Sequence, residues 1–217
     1  MPDEEELEAP FRIAVDHDNV LVEVTVQFLK FYNDRTKTSY TLDDLKEYRL
    51  EKCLHLTAKE VKSLTLEFYH TPYFREVKPV QGAQEGVAQL RKMGCELYDV
   101  TSRPDTVMLA TTKELENYFG KKAFRTVIFT DDYLRGTEGE GKSSVCNELK
   151  MEAIIEDSWQ YAKTCAEKGI KALLMDRPWN VRKPEVENVA RCKDWKDVVR
   201  KVKKIKELSR PSQVSLV

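Results

Sequence analysis

The chain has 217 residues, 34% of them charged, with a formal net charge of −1. That length supports one sizeable domain, or one domain carrying a small insertion. The near-neutral balance argues against a global field drawing the protein to a nucleic-acid polymer or an anionic membrane, and no apolar stretch approaches the roughly 20 residues of a membrane span.

The first ten residues, "MPDEEELEAP", are acidic and lack the basic-then-apolar pattern of a signal peptide. Residues 1–10 are therefore expected to be a flexible lead-in. The five cysteines (Cys53, Cys95, Cys146, Cys165, Cys192) are scattered and form no C-x-x-C pair. An odd, dispersed set points to reduced thiols and a cytoplasmic protein rather than to a disulfide framework or a zinc site.

In chain order, "FRIAV" predicts a strand that ends at Asp16. Leu21, Val24, Phe28, Leu29 and Tyr32 then recur at helical spacing, which predicts a helix from Val20 to Tyr32. Thr41 opens "LDDLKEYRL", and Thr57 with Glu60 forms a capping box ahead of a further helix. Residues 20–75 thus form a small helical segment, followed by turns at "TPYF" and "KPVQG".

Strands and helices alternate from there on. A helix over Ala83–Lys92 stops before Gly94, "CELYDVTS" is a strand, and Pro104–Tyr118 is a helix closed by Gly120. "RTVIFT" is a strand, "DDYLRGTEGEG" a loop, and Lys142–Leu149 a helix. "EAIIED" and "KALLMD" are strands on either side of a helix over Ser158–Lys168. A loop through Pro178 and Pro184 leads to a last helix, capped by Asp194 and apolar at Trp195, Val198, Val199, Val202, Ile205 and Leu208; residues 209–217 are expected to be a flexible tail.

This order predicts an α/β fold: a Rossmann-like parallel sheet flanked by helices, with a small helical cap inserted after the first strand. The core would comprise residues 11–19 and 76–208, and the cap residues 20–75.

In an open α/β sheet, ligands bind beyond the carboxyl ends of the strands. Those ends carry Asp16 and Asp18, Thr101 and Ser102, Thr130 with Asp131 and Asp132, Glu156 and Asp157, and Asp176 with Arg177, while Lys142 starts a helix at the same edge. Clustered carboxylates repel one another and take up protons or a cation. An all-oxygen cage with room for water suits Mg²⁺. A metal and a lysine together favour an anion with tetrahedral oxygens. At such a site a carboxylate at a strand end can attack phosphorus, and a second carboxyl two residues on can protonate the leaving oxygen.

The pattern resembles the haloacid dehalogenase superfamily of phosphohydrolases, whose four motifs find matches in order across residues 12 to about 180. "VDHDNV" resembles the first motif, "YDVTSRP" the second, "GKSS" the third and "IIEDS" the fourth. The resemblance implies Asp16 as nucleophile, Asp18 as acid/base, Thr101 and Ser102 as phosphate-binding hydroxyls, and Lys142 as the cation that neutralises phosphate and nucleophile. It implies Mg²⁺ held by Asp16, by Asp18 through its carbonyl and by Asp157, with Glu156 further from the ion. "TPYF", "PVQGAQEGVAQLRKMGCELYDVTSRP" and "AIIEDSWQYAKTCAEKGIKALLMDRPWN" are similar to the 5′(3′)-deoxyribonucleotidase-like branch. Two positions depart from the family pattern. Asn19 stands where a glycine is usual, and Glu156 where many relatives have Asp.

The expected activity is a Mg²⁺-dependent phosphomonoesterase acting through an aspartyl-phosphate on a small phosphorylated metabolite, with nucleoside 5′-monophosphates first. The alternative is a weakly active or non-catalytic phosphate-binding protein of the same fold. A receiver-type signalling domain is disfavoured by chain order, since its acidic pair precedes the phosphorylated Asp. A dehalogenase is disfavoured because those relatives lack a counterpart of Asp18. The expected partner is a small phosphorylated substrate, not a nucleic-acid polymer or a membrane, and a homodimer is compatible with the reading. Asp131 and Asp132 are read as loop acids, structural or solvated rather than ligands, His17 as a packing or hydrogen-bonding residue ahead of a substrate contact, and Arg103 as either a phosphate or cap contact or an ordinary surface salt bridge.

Overall fold

The computed structural model describes residues 9–132 and 140–209. The acidic lead-in up to residue 8, most of the "DDYLRGTEGEG" loop and the tail from residue 210 lie outside the described residues.

Six strands form one sheet: β1 (Phe11–Val15), β2 (Cys95–Thr101), β3 (Val127–Phe129), β4 (Ala153–Glu156), β5 (Lys171–Met175) and β6 (Val189–Cys192). Their order is β3-β2-β1-β4-β5-β6, and every neighbouring pair is parallel. The order reverses at β1, the switch point where open α/β sheets bind ligands. β1 and its neighbour β4 end in the predicted carboxylates.

The two-residue period of a strand sorts the apolar side chains onto two faces. Phe11, Ile13 and Val15 of β1, Ala153 and Ile155 of β4, and Leu173 and Met175 of β5 enter one core. Ala14, Ile154, Ala172 and Leu174, the residues between them, enter a second core. The first core is covered by α5 (Ala83–Lys92) and the last helix, α9 (Trp195–Ser209), together with the helices that follow β1. The second is covered by α7 (Glu140–Glu148) and α8 (Trp159–Glu167). Gly86 lets α5 approach α9, since a Cβ there would lie 2.3 Å from the Trp195 ring. Asp194 caps α9 as expected, accepting from the Asp197 amide at 2.8 Å.

Between β1 and α5 lie α1 (Val24–Thr36), α2 (Leu50–Leu54), α3 (Ala58–Phe68) and α4 (Pro72–Arg75), and α6 (Met108–Phe119) lies between β2 and β3. The Thr57–Glu60 capping box forms, with Thr57 N–H donating to Glu60 at 2.7 Å and the Glu60 amide to Thr57 Oγ1 at 3.2 Å. Phe28, Phe31 and Phe68 pack edge-on or tilted against one another and join the first core.

Two expectations change. α1 begins at Val24 rather than Val20, because residues 17–22 close a turn in which the Leu21 and Val22 amides donate to the His17 carbonyl at 3.0 and 3.1 Å. The segment after β5 also contains a strand, β6, where the sequence suggested only loop.

Candidate active site

Asp16 follows β1, is buried, and has its amide fixed by the Ile155 carbonyl at 2.9 Å. Lys142 Nζ donates to Asp16 Oδ1 at 2.5 Å and to Glu156 Oε1 at 2.6 Å, and lies 4.5 Å from the centre of the Tyr161 ring. All three partners are buried, so one lysine bridges the ends of β1 and β4 in a low-dielectric pocket. The helix carrying Lys142 is anchored by Asp132, whose Oδ2 accepts the Lys142 amide at 3.2 Å. A Cβ at position 141 would lie 2.4 Å from Asp132 Oδ1, so glycine is required for that approach. Of the structural and solvated readings, Asp132 takes the structural one, buried and anchoring the start of α7.

Glu156 has both oxygens engaged. Oε1 receives Lys142, and Oε2 accepts the Asp157 and Ser158 amides, each at 2.8 Å. Asp157 is held from two sides. Its carbonyl accepts Asn180 Nδ2 at 2.7 Å and Trp179 Nε1 at 3.2 Å, and its Oδ2 accepts Asn19 Nδ2 at 3.2 Å. Asn19 has φ of 62°, the left-handed region where asparagine costs least after glycine. Its carbonyl accepts the Nε of Arg177 at 3.0 Å and also its Nη2.

Asp16, Glu156 and Asp157 can each present an oxygen such that the three lie within 4.8 Å of one another. Their electrostatics are unbalanced. Burial and repulsion from Glu156 push Asp16 up to about 8, against the pull of Lys142. Burial, Glu156 and Asp16 likewise hold Asp157 well above the ordinary carboxylate range, with Arg177 and Lys142 opposing. Burial works against a charged Lys142, but Asp16 and Glu156 more than offset it and hold the ammonium well above its usual value. Three carboxylates facing one lysine, with one arginine nearby, leave an all-oxygen cluster with negative charge in excess. Such a cluster fits a hard divalent cation. Asp16 and Asp157 are the natural holders, because both Glu156 oxygens already serve the lysine and the backbone.

Asp18, Ser102 and Arg103 line a cavity of about 780 Å³, counting the part open to solvent, together with Asp16 and Asn19. Its remaining walls include Phe28, Tyr48, Phe68 and Tyr69 from the helical segment and Trp179 from the loop after β5. Of the two predicted hydroxyls, Ser102 faces this cavity. Thr101 is fully buried, and its Oγ1 accepts the Arg103 amide at 3.2 Å. Asp18 is gripped by Arg103, which donates from Nε at 3.0 and 3.2 Å and from Nη2 at 2.7 Å. The sequence thus left open a role that the structure makes specific, since Arg103 is a buried partner of Asp18 rather than an ordinary surface arginine.

No protein-family model matches the chain. Among curated proteins it is similar to "Putative nucleotidase BH1399" of Halalkalibacterium halodurans, 26% identical over 185 residues that cover 85% of this chain and 88% of that protein. Among solved structures it superposes on a predicted phosphatase from Clostridium acetobutylicum with a TM-score of 0.67 at 12% identity, covering 90% of this chain and 99% of that one. It also superposes on the "putative HAD-hydrolase YfnB" from Bacillus subtilis, described as bound to magnesium, with a TM-score of 0.60 at 14% identity and coverage of 90% and 99%.

This is the haloacid dehalogenase fold. Within it, the residues of the four matched motifs stand at the ends of β1, β2 and β4 and at the start of α7. Other residues around the cluster were not singled out in the sequence. Asn180 and Trp179 fix the Asp157 backbone, while Asp99, Thr111 and Glu114 stand behind Arg103. Asp99 did leave a signal, because an acid in the middle of a buried strand demands a partner.

Proposed function

We propose that this protein is a Mg²⁺-dependent phosphomonoesterase that works through an aspartyl-phosphate on Asp16. The observation carrying this reading is that Asp16 and Asp18 reach one cavity while Lys142 and Asp157 close around Asp16 from behind. Ionised Asp16 attacks phosphorus, the bond to the leaving oxygen breaks, and Asp18 gives that oxygen a proton. Asp18 then takes a proton from water as the water attacks the acyl-phosphate, which frees Asp16 and phosphate. Ser102 and Thr101 lie at the second motif, where the resemblance places the phosphate-binding hydroxyls, and Ser102 is the one that opens to the cavity.

Asp16 and Asp157 would hold the ion, with the Asp18 carbonyl as the further ligand that the resemblance implies and Glu156 behind Lys142. Bound Mg²⁺ supplies charge neutralisation for the carboxylate cluster and the phosphoryl oxygens. Residues 20–75 act as the cap, closing the cavity with aromatic and aliphatic side chains. A phosphate-binding floor beneath apolar walls favours an ester with a flat or apolar leaving group, and nucleoside 5′-monophosphates are the first candidates. Support for this choice is the similarity to a protein named as a putative nucleotidase and the aromatic lining of the cavity by Phe28, Tyr48, Phe68 and Tyr69. Neither departure from the family pattern removes a required group. Asn19 adopts the needed φ, and Glu156 completes its hydrogen bonds with the longer arm.

A panel of phosphorylated metabolites assayed with Mg²⁺, with Asp16→Asn as the blank, tests the proposal. Turnover of at least one nucleoside monophosphate, abolished by the substitution and by EDTA, is the expected result. Undiminished turnover by Asp16→Asn would overturn the mechanism. Binding of a phosphate analogue with no turnover across the panel would favour the non-catalytic alternative.

A further inference from the structure

Behind the cavity, five side chains of alternating charge form a continuous row: Asp99, His17, Glu114, Arg103 and Asp18. His17 Nδ1 meets Asp99 Oδ2 at 2.6 Å, and its Nε2 meets Glu114 Oε2 at 2.9 Å. The same Glu114 oxygen accepts Arg103 Nη1 at 3.0 Å, and the remaining guanidinium edge forks onto Asp18. Arg103 is pinned further by Thr111 Oγ1 at 3.0 Å and lies 4.9 Å from the centre of the Phe74 ring. Of the five, only Glu114 and Asp18 reach solvent. The side chains of Asp99, His17 and Arg103 are 0% exposed, Glu114 is 13% and Asp18 is 25%. The row therefore starts in the sheet, at the middle of β2, and ends on the carboxylate that faces the cavity.

Pairing the buried charges does not require Glu114, since Asp99 already pairs with His17 and Asp18 with Arg103. What Glu114 adds is a fixed orientation. A guanidinium bonded through Nε and Nη2 holds a carboxylate in its own plane, and a guanidinium bonded at Nη1 by two anchors cannot turn. We propose that Glu114 is a positioning residue, which, braced by His17 on Asp99, fixes Arg103 so that Asp18 is aimed at the leaving oxygen. This rests on the acid role given to Asp18 above. When Asp18 gives up its proton, the carboxylate that forms meets a fork already in place, so the interaction grows as the proton leaves.

The full-length protein tests this with two esters, an alkyl phosphate, whose leaving group needs a proton, and 2,4-dinitrophenyl phosphate, whose leaving group does not. In Glu114→Gln, kcat/KM, which reports only the half-reaction in which the leaving group departs, should fall about tenfold or more on the alkyl ester and change by less than about threefold on the dinitrophenyl ester. Glu114→Asp should recover part of the loss in kcat/KM. Equal loss on the two esters, or no loss on either, overturns the proposal. If Asp18→Asn itself shows no leaving-group dependence, the acid role fails. If Asp18→Asn shows it and Glu114→Gln does not, the positioning role alone fails. Should Glu114→Gln not fold by circular dichroism, Thr111→Val removes the other Nη1 anchor and should shift the same ratio in the same direction by about threefold, an unchanged ratio overturning the proposal.

Discussion

Asn19 donates through Nδ2 to Asp157 Oδ2 at 3.2 Å while its Oδ1 accepts the Thr25 amide at 3.2 Å, so one side chain ties a candidate metal ligand to the first turn of α1. A glycine could supply the φ of 62° but neither bond. The departure from the family pattern is therefore a substitution with its own contacts. Asn19→Gly should keep the backbone and lose the tether, lowering Mg²⁺ affinity. Asn19→Ala should lose the tether and also strain the left-handed backbone, making it less stable than Asn19→Gly by about 1 kcal/mol. Urea denaturation of the pair checks the order, and equal stabilities would show that the position carries no strain.

Lys142 is the next test, because removing it leaves Asp16 and Glu156 facing each other in a buried site. Lys142→Met should abolish turnover and destabilise the metal-free protein above pH 8, where Asp16 is ionised, by about 3–5 kcal/mol, the usual cost of orphaning a buried charge. The loss should shrink as pH falls through about 8 and Asp16 takes up its proton. A loss that does not vary with pH would mean that the carboxylates are not what the lysine offsets.

The fold was largely legible in the sequence because the alternation after residue 80 is regular and its strands are apolar. β6 was not. "VARC" is short, carries Arg191, and follows a proline-containing stretch, and only pairing with β5 makes it a strand. The late start of α1 was hidden for a related reason. Leu21 and Val22 keep the helical apolar pattern, yet they are buried in a turn closed by the His17 carbonyl and held against residues 78–80, the Val80 amide donating to Leu21 at 2.9 Å. The four motif positions were legible because each ends a strand or starts a helix. The row behind Asp18 was not, since Glu114 sits within a helix and its partners are 97 and 11 residues away in the chain.

Metal binding should displace protons. Asp16, raised to about 8, is protonated in large part at pH 7 without a cation, and burial and its carboxylate neighbours shift Asp157 in the same direction. A bound divalent ion favours the ionised forms, so protons must leave. Titration calorimetry of Mg²⁺ into the protein at pH 7, repeated in buffers of different ionisation enthalpy, should show net proton release that fades above pH 9. Identical heats in all buffers would contradict the cluster as the binding site.

His17 predicts a pH window for stability. Burial alone would lower it, but the carboxylates of Asp99 and Glu114 outweigh both burial and the repulsion of Arg103, raising it from 6.5 to about 9. A group whose folded value is raised stabilises fully below its unfolded value and loses that contribution as pH climbs through the folded one. The contribution, on the order of 3 kcal/mol, should therefore be present at pH 6 and fade between about 6.5 and 9. In urea titrations across this range His17→Gln should be less stable at pH 6 and should flatten the decline. An unchanged slope would show that His17 is not charged in the folded protein.

In the proposed mechanism Asp16 carries the phosphoryl group during turnover. Acid-quenching the protein as it turns over a ³²P-labelled phosphomonoester with Mg²⁺, followed by peptide mapping, tests this directly. An alkali-labile label is expected on the peptide containing Asp16, absent from Asp16→Asn and from samples with EDTA. Turnover that continues in Asp16→Asn, or a label that maps to another peptide, would contradict it.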